Sequence, residues 1–237
     1  MLTFDAVSYT IGDRPILTGL DLTVSRGELV VLLGPSGAGK TTVLRLAAGL
    51  LKPSAGRIGT NGERAAMVFQ APHLLPWESA LDNAALPLAA LGLRRREARE
   101  AARRWLIRLG LGPEDLAKRP AELSGGMQSR VAIARAFVVK PDLVLLDEPF
   151  ADLDPARRRS LQALLRGLVD DLGVSVLFVT HDPVEAVRLA DRIVILSGNP
   201  ARISADIAST PLSEPAAIWS RVADLARGPD FNGLWEG

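Results

Sequence analysis

The chain has 237 residues, with 28 Lys and Arg against 27 Asp and Glu for a formal net charge of +1, and it contains no cysteine. The charge balance gives no support for a nucleic-acid binder, and the lack of cysteine excludes disulfides and thiolate metal sites. Hydrophobic residues make up 48% of the chain, enough to fill the core of one large domain or of a domain carrying an inserted subdomain.

In chain order, Leu2 to Tyr9 alternates apolar and polar residues, Gly12 to Pro15 is a turn signal, and Ile16 to Val24 alternates again. This predicts two strands joined by a tight turn. The start of the chain shows no basic segment leading into an apolar core, so no signal peptide is expected. Leu29 to Leu33 is continuously apolar, as a strand buried on both faces requires. A helix is predicted over Thr42 to Leu51. Further apolar runs at Ala65 to Phe69, Leu143 to Leu146, Val174 to Val179 and Ile193 to Leu196 are separated by helical patterns. Alternating strands and helices predict an α/β fold built on a parallel sheet. Between about Ala71 and Pro141 there is no strand pattern, and the segment reads as a helical insertion. Within it, Arg94 to Leu109 reads as an exposed helix whose arginines form a solvated face. Ala84 to Leu93, interrupted by Pro87 and Gly92, is far too short to cross a bilayer. The chain is expected to be cytosolic, with any membrane role arising through a partner. From Ser204 onward an amphipathic piece, Ile218 to Leu225, stands out, and no chemistry does.

The most informative stretch is Gly34-Pro35-Ser36-Gly37-Ala38-Gly39-Lys40-Thr41-Thr42, between the apolar run and a helical pattern. Strand, glycine-rich turn and helix form the required context of a P-loop. Glycines let backbone N–H groups turn inward onto phosphate oxygens, and the helix N-terminus adds partial positive charge. Lys40 supplies a cation for the β- and γ-phosphates, and Thr41 a hydroxyl for Mg²⁺. Leu143 to Asp147, followed by Glu148 and Pro149, is a buried strand ending in two acids. Ligand groups sit at the carboxyl ends of parallel strands, so Asp147 fits a Mg²⁺ carboxylate and Glu148 a residue that orients or deprotonates water. Ser124-Gly125-Gly126 precedes a helix predicted over Gln128 to Val139. It reads either as a simple N-cap or as a second phosphate-binding helix end.

Taken together, the P-loop, Gln70, the Leu-Ser-Gly-Gly-Met-Gln run, Leu-Leu-Asp-Glu-Pro, Ala151-Asp-Leu-Asp154 and His181 occur in the order found in ATP-binding cassette (ABC) ATPases. The resemblance runs from about Leu2 to Ile203. It implies a P-loop NTPase (RecA-like) core over residues 1–75 and 142–203 with an N-terminal antiparallel β subdomain, a helical signature subdomain over 76–141 and a tail over 204–237. It also implies ATP and Mg²⁺ as ligands. By the same resemblance, Tyr9 stacks on adenine and Gln70 contacts Mg²⁺ and the attacking water. Glu148 is the catalytic carboxylate, and His181 touches the γ-phosphate. Ser124, Gly125 and Gly126 meet the nucleotide of a second copy packed head to tail, and Asp154 counts among the nucleotide-binding positions. Asp152 departs from the pattern, which more often has a small residue there.

A single cassette resembles the separate ATPase subunit of a prokaryotic transporter. Phe69 to Trp77, Ala80 to Ala84, Thr180 to Val187 and Ala190 to Ile203 are similar to the importer group for nitrate, sulfonates, taurine and related solutes, with Ser129 a departure. The resemblance then implies an ATP-hydrolysing subunit at the cytoplasmic face of the membrane. Its partners are a second copy, permease subunits and, indirectly, an extracytoplasmic solute-binding protein, with no nucleic acid. The rival expectations are the cassette of an exporter or cell-division complex, a soluble ABC ATPase acting on ribosomes or DNA, and a nucleotide-binding scaffold without turnover.

Overall fold

The structure, a computed structural model, describes residues 1–60, 64–151 and 153–227. Two sheets and a set of helices make up the chain. A three-stranded antiparallel sheet of order β2-β1-β4 is formed by β1 (Leu2–Ile11), β2 (Arg14–Val24) and β4 (Ala55–Thr60). The β1–β2 hairpin closes over Gly12 and Asp13, with Ile11 paired to Arg14 and Gly12 in the left-handed region at φ 57°.

The larger sheet has the order β5-β6-β7-β3-β8-β9, from β3 (Leu29–Leu33), β5 (Ala65–Val68), β6 (Leu143–Asp147), β7 (Ser175–Thr180), β8 (Arg192–Ser197) and β9 (Arg202–Ala208). Its first five members are parallel neighbours and β9 closes the edge antiparallel to β8. The apolar runs sort by parity. Leu29, Val31 and Leu33 face one core with Val144, Leu146, Val176, Phe178, Ile193 and Ile195. Val30 and Leu32 face a second core with Leu143, Leu145, Leu177, Val179, Val194 and Leu196. Successive side chains of a strand point to opposite faces, so a strand covered on both sides must be apolar throughout. The second core also holds Leu2, Phe4, Val7 and Leu20 from the antiparallel sheet and Val43, Leu44 and Leu46 from helix α1 (Lys40–Ala47). The first core is roofed by α2 (Ala80–Ala90), α3 (Arg95–Arg108), α4 (Gly125–Phe137), α5 (Pro155–Leu172), α6 (Pro183–Leu189) and α7 (Pro215–Ala226).

Several local expectations change. Helix α1 begins at Lys40 and ends near Ala47, short of Leu51, because Gly49 turns left-handed and Leu50 and Leu51 both donate to Arg45 O. Helix α4 begins at Gly125, three residues earlier than expected, because the Ser124 hydroxyl accepts from Met127 N and draws both glycines into the first turn. Helix α3 is not wholly exposed: Ala98, Ala102 and Leu106 form a buried stripe at i, i+4, i+8. Helix α2 runs through Pro87 as far as Ala90, where Gly92 at φ 88° follows. Two edge strands, β4 and β9, carried no recognised signal. Strand β9 extends the core sheet past residue 204 into the expected tail.

Candidate functional site

Three strands deliver the candidate site to one edge. Leu33 pairs with Thr180 and Asp147 with Val179, so the ends of β3, β6 and β7 lie side by side. The chain leaves β3 at Gly34, where a Cβ would stand 2.5 Å from Leu196 O, so only glycine permits this exit. Gly37 and Gly39 take φ of 80° and 83°, conformations costly for any residue with a Cβ. Ala38 N donates to Pro35 O at 3.2 Å, which curls the loop. Ser36 and Gly37 are exposed at its tip. Gly39 is the cap of α1, without a side-chain acceptor for the first-turn amides, and no acid stands in that turn. Such a helix start is a natural partner for an anion.

Lys40 is buried and its Nζ donates to Gly34 O at 2.8 Å and Pro35 O at 2.9 Å, with Glu148 Oε1 at 3.7 Å. Burial lowers its pKa below the ordinary lysine range, opposed by Glu148 and Asp147. Thr41 Oγ1 donates to Asp147 Oδ1 at 3.0 Å across 106 positions of sequence. Glu148 leaves the strand in the left-handed region at φ 42°, with its N–H bonded to Val179 O at 3.0 Å. A glutamate held in that conformation is a strained residue, of the kind that clusters at functional sites. Its Oε2 lies 2.8 Å from His181 Nδ1. Lys40, Thr41, Asp147, Glu148 and His181 are therefore one continuous constellation.

Asp147 is buried, and burial raises its carboxyl pKa, with the Thr41 hydroxyl pulling the other way. A carboxyl whose folded pKa is raised favours folding when protonated, and that contribution is lost as pH rises through the raised value. At neutral pH its charge is thus a cost. Asp147→Asn is expected to raise the melting temperature in the absence of nucleotide and Mg²⁺, by about 2–4 °C for each kcal/mol relieved in a chain of this size. The gain should shrink as pH falls into the raised range. Calorimetry across pH checks this, and a lower melting temperature at pH 7 would contradict it. Hard oxygens from Thr41 and Asp147 suit Mg²⁺, which keeps several waters and shares phosphates rather than demanding a full protein cage. Among the described residues no group of three or more His, Cys, Asp or Glu that could hold a metal ion occurs.

Other expected site residues lie apart. Tyr9 is half-buried on β1 opposite Leu17, whose side chain abuts Gly39. Gln70 is exposed on the loop after β5. Ser124, Gly125 and Gly126 start α4, with Gly126 facing Arg157 and Leu153. Among the described residues no hydrogen bond or ion pair joins any of these to the Lys40–His181 constellation. Asp154 caps α5, accepting from Ala156 N at 3.1 Å and Arg157 N at 3.0 Å. The Arg157 amide is foremost in holding its carboxyl below the usual range. Asp152 lies outside the described residues.

The structure adds residues that sequence reasoning missed. Arg158 donates to Ala151 O at 3.2 Å, Leu153 O at 3.3 Å and Asp182 Oδ2 at 3.3 Å, tying the loop after Glu148 to the start of α6. Buried Glu185 accepts from Thr180 Oγ1 at 2.7 Å and Gln162 Nε2 at 3.1 Å, bracing the strand end that carries His181. Asp182 caps α6 through Val184 N at 2.8 Å, a role its Asp-Pro sequence could have announced. The loop after β5 is fixed to the helical layer. Arg135 donates to Pro72 O and His73 O at 2.7 and 2.8 Å, and Asn83 grips Leu75 through both backbone groups. Trp77 nevertheless remains 65% exposed.

A glycine loop opening a helix at the carboxyl edge of a mainly parallel sheet, beside a strand-end carboxylate bonded to the loop threonine, defines a P-loop NTPase cassette. Comparison with known proteins carries this further. Residues 17–151 match the profile described as ABC transporter. The Fe(3+) ions import ATP-binding protein FbpC 1 of Rhizobium meliloti (strain 1021) is 44% identical over 212 residues, covering 85% of this chain and 60% of that protein. The aliphatic sulfonates import ATP-binding protein SsuB 3 of Rhodococcus jostii (strain RHA1) is 46% identical over 196 residues, covering 82% of this chain and 70% of that protein. The dimeric structure of a bacterial ABC transporter cassette superposes with a TM-score of 0.81 at 30% identity, covering 90% of this chain and 100% of that one. The chain belongs to the ABC transporter family. It spans about 60% of the length of the iron-import relatives.

Proposed function

We propose that the chain is the ATP-binding and ATP-hydrolysing cassette of an importer. The observation that carries this reading is the convergence of Lys40, Thr41, Asp147, Glu148 and His181 at one sheet edge in a chain of this family. Loop residues Gly34 to Thr42 bind the triphosphate through backbone N–H groups. The Lys40 ammonium exchanges its carbonyl partners Gly34 O and Pro35 O for phosphate oxygens. Mg²⁺, held by Thr41, Asp147 and Gln70, supplies neutralisation of the phosphate charge. Glu148 orients the attacking water and takes its proton, and His181 holds that carboxylate in place and meets the γ-phosphate. Tyr9 stacks on the base. Preorganised charge around the transferred phosphoryl group is the main source of rate in such sites.

Within one chain, Ser124, Gly125 and Gly126 stand apart from that constellation, and this supports a site completed by a second copy packed head to tail. A neighbouring structure is described as a dimeric post-hydrolysis state of an ATP-binding cassette bound to ADP and Pi, at 30% identity and a TM-score of 0.80. Asp154, which caps α5, counts by the same family resemblance among the nucleotide-binding positions. The loop from Gln70 to Trp77, anchored by Arg135 and Asn83 yet presenting an exposed Trp77, is the contact for permease subunits at the cytoplasmic face of a membrane. Among the described residues no helix is long and apolar enough to cross a membrane. The imported solute is a sulfonate or a related small organic anion, a reading supported by the sulfonate-import relative. The iron-import relatives favour ferric iron as the second reading.

Affinity purification of the tagged chain from gently solubilised membranes of its host, followed by mass spectrometry, tests the proposal. A multispanning permease is the expected companion. Recovery of ribosomes or DNA-associated proteins in its place would overturn the importer reading. A solute-binding protein belonging to the same system, titrated with aliphatic sulfonates and with Fe(3+), would separate the two solutes.

A further inference from the structure

A cleft of about 390 Å³ opens between one stripe of α5, the end of α6 and the segment 211–213 that leads into α7. That volume is in the range of small-molecule sites. Three arginines line it: Arg159 and Arg166 from α5 and Arg188 from α6. Arg166 is neutralised, since it bonds Asp170 and Asp191 and also reaches Leu189 O at 3.2 Å. The side chains of Arg159 and Arg188 have no hydrogen bond or ion pair among the described residues, and the Nε of Arg188 is buried without an acceptor. The Nε atoms of Arg158 and Arg192 are buried in the same way, but the guanidinium groups of those two are bonded elsewhere, whereas that of Arg188 is not, so its unpaired fork is what a ligand in the cleft would meet. The one acid lining the cleft, Asp170, is already taken by Arg166. Ser213 brings a hydroxyl to the same cleft, and Leu212 N, bonded to Val187 O at 3.1 Å, holds that wall against α6.

We propose that this cleft binds a compact oxyanion, namely phosphate or the phosphoryl group of a small metabolite. Two unpaired guanidinium forks from different helices match the planar, multidentate acceptor geometry of phosphate, and their combined charge suits a dianion. The site is separate from the P-loop and linked to it mechanically. Arg159 is the neighbour of Arg158, which clamps Ala151, Leu153 and Asp182, and Arg188 closes the helix that follows His181. An anion bridging Arg159 and Arg188 pins α5 to α6, the two helices whose Arg158 and Glu185 line one small pocket with Glu148 and His181. The site is thus an effector site.

The test uses the full chain saturated with Mg²⁺ and a non-hydrolysable ATP analogue, so that the P-loop is filled. Inorganic phosphate and glycerol 3-phosphate are titrated calorimetrically at constant ionic strength, with chloride as the control. Saturable binding of at least one is expected, weakened tenfold or more in the Arg159→Gln/Arg188→Gln variant, while the analogue affinity of that variant stays within about twofold. Tighter binding of glycerol 3-phosphate would identify a phosphorylated metabolite as the source, and equal binding would identify free phosphate. No saturable heat with either probe, or unchanged binding in the double variant, would overturn the proposal. Neither result would touch the assignment of the P-loop, because the analogue affinity is read independently.

Discussion

Glu148→Gln is expected to reduce ATP turnover by about 10²–10⁴-fold, the range supplied by a positioned general base, while ATP affinity stays within a few-fold of the parent. The substitution keeps size and shape, so the left-handed turn at φ 42° and the contact to His181 Nδ1 persist. It removes the one property the proposed role requires, a carboxylate able to accept a proton from water. The phosphate loop is left intact, and the bound ATP, no longer consumed, is expected to hold two copies together. Phosphate release, equilibrium nucleotide binding and light scattering with and without ATP measure the three effects. Turnover near that of the parent would remove Glu148 from its role and direct attention to another acid of the site.

Lys40→Ala should produce the complementary result, with binding itself lost. Charge-assisted hydrogen bonds contribute about 1.5–3 kcal/mol, so ATP affinity should fall by roughly 10- to 150-fold. Lys40 is also buried, and its removal leaves Gly34 O and Pro35 O without their donor and Glu148 without its cation. Some loss of fold stability could imitate a loss of affinity. Lys40→Met loses the same donor and cation but retains the apolar stem and leaves no cavity, so it should melt closer to the parent than Lys40→Ala and still bind ATP poorly. Unchanged ATP affinity in both variants would contradict the phosphate reading of the loop.

Much of this molecule is legible along the chain because its signals are local. Leu29 to Leu33 followed by Gly34 to Thr42 specifies strand, loop and helix within fourteen consecutive residues, since the glycines needed by the loop conformation and the lysine needed by its charge are all near neighbours. Buried parallel strands were readable from continuous apolar runs, because both of their faces are covered. Ser124 was readable as a cap, although helix α4 starts at Gly125 rather than Gln128: a cap sets where a helix begins more strongly than two glycines resist it. Strands β4 and β9 were not readable. Strand β4 carries Gly56 at φ 82°, and a Cβ there would strike Ala6 O at 2.4 Å; its place comes from pairing with β1 rather than from its own propensity. Strand β9 does alternate, at Ile203, Ala205 and Ile207, yet sits in a stretch that reads as a tail until β8 offers it an edge.

The site divides in the same way. Which residues are expected to handle phosphate, Mg²⁺ and water was readable from the sequence: Lys40, Thr41, Asp147 and Glu148 from the P-loop and the strand-end acids, and Tyr9, Gln70 and His181 from the resemblance to the family. The tertiary structure decided which of them meet. Thr41 finds Asp147 across 106 positions, and Glu148 is placed between Lys40 and His181. It also recruited Arg158 and Glu185, which no spacing pointed to, and brought Arg159 and Arg188 to one cleft. The physical reason is that loop conformation and helix capping are decided by a few adjacent residues. The partners of a charged side chain are decided by which strands lie next to one another, and strand order is a property of the whole sheet.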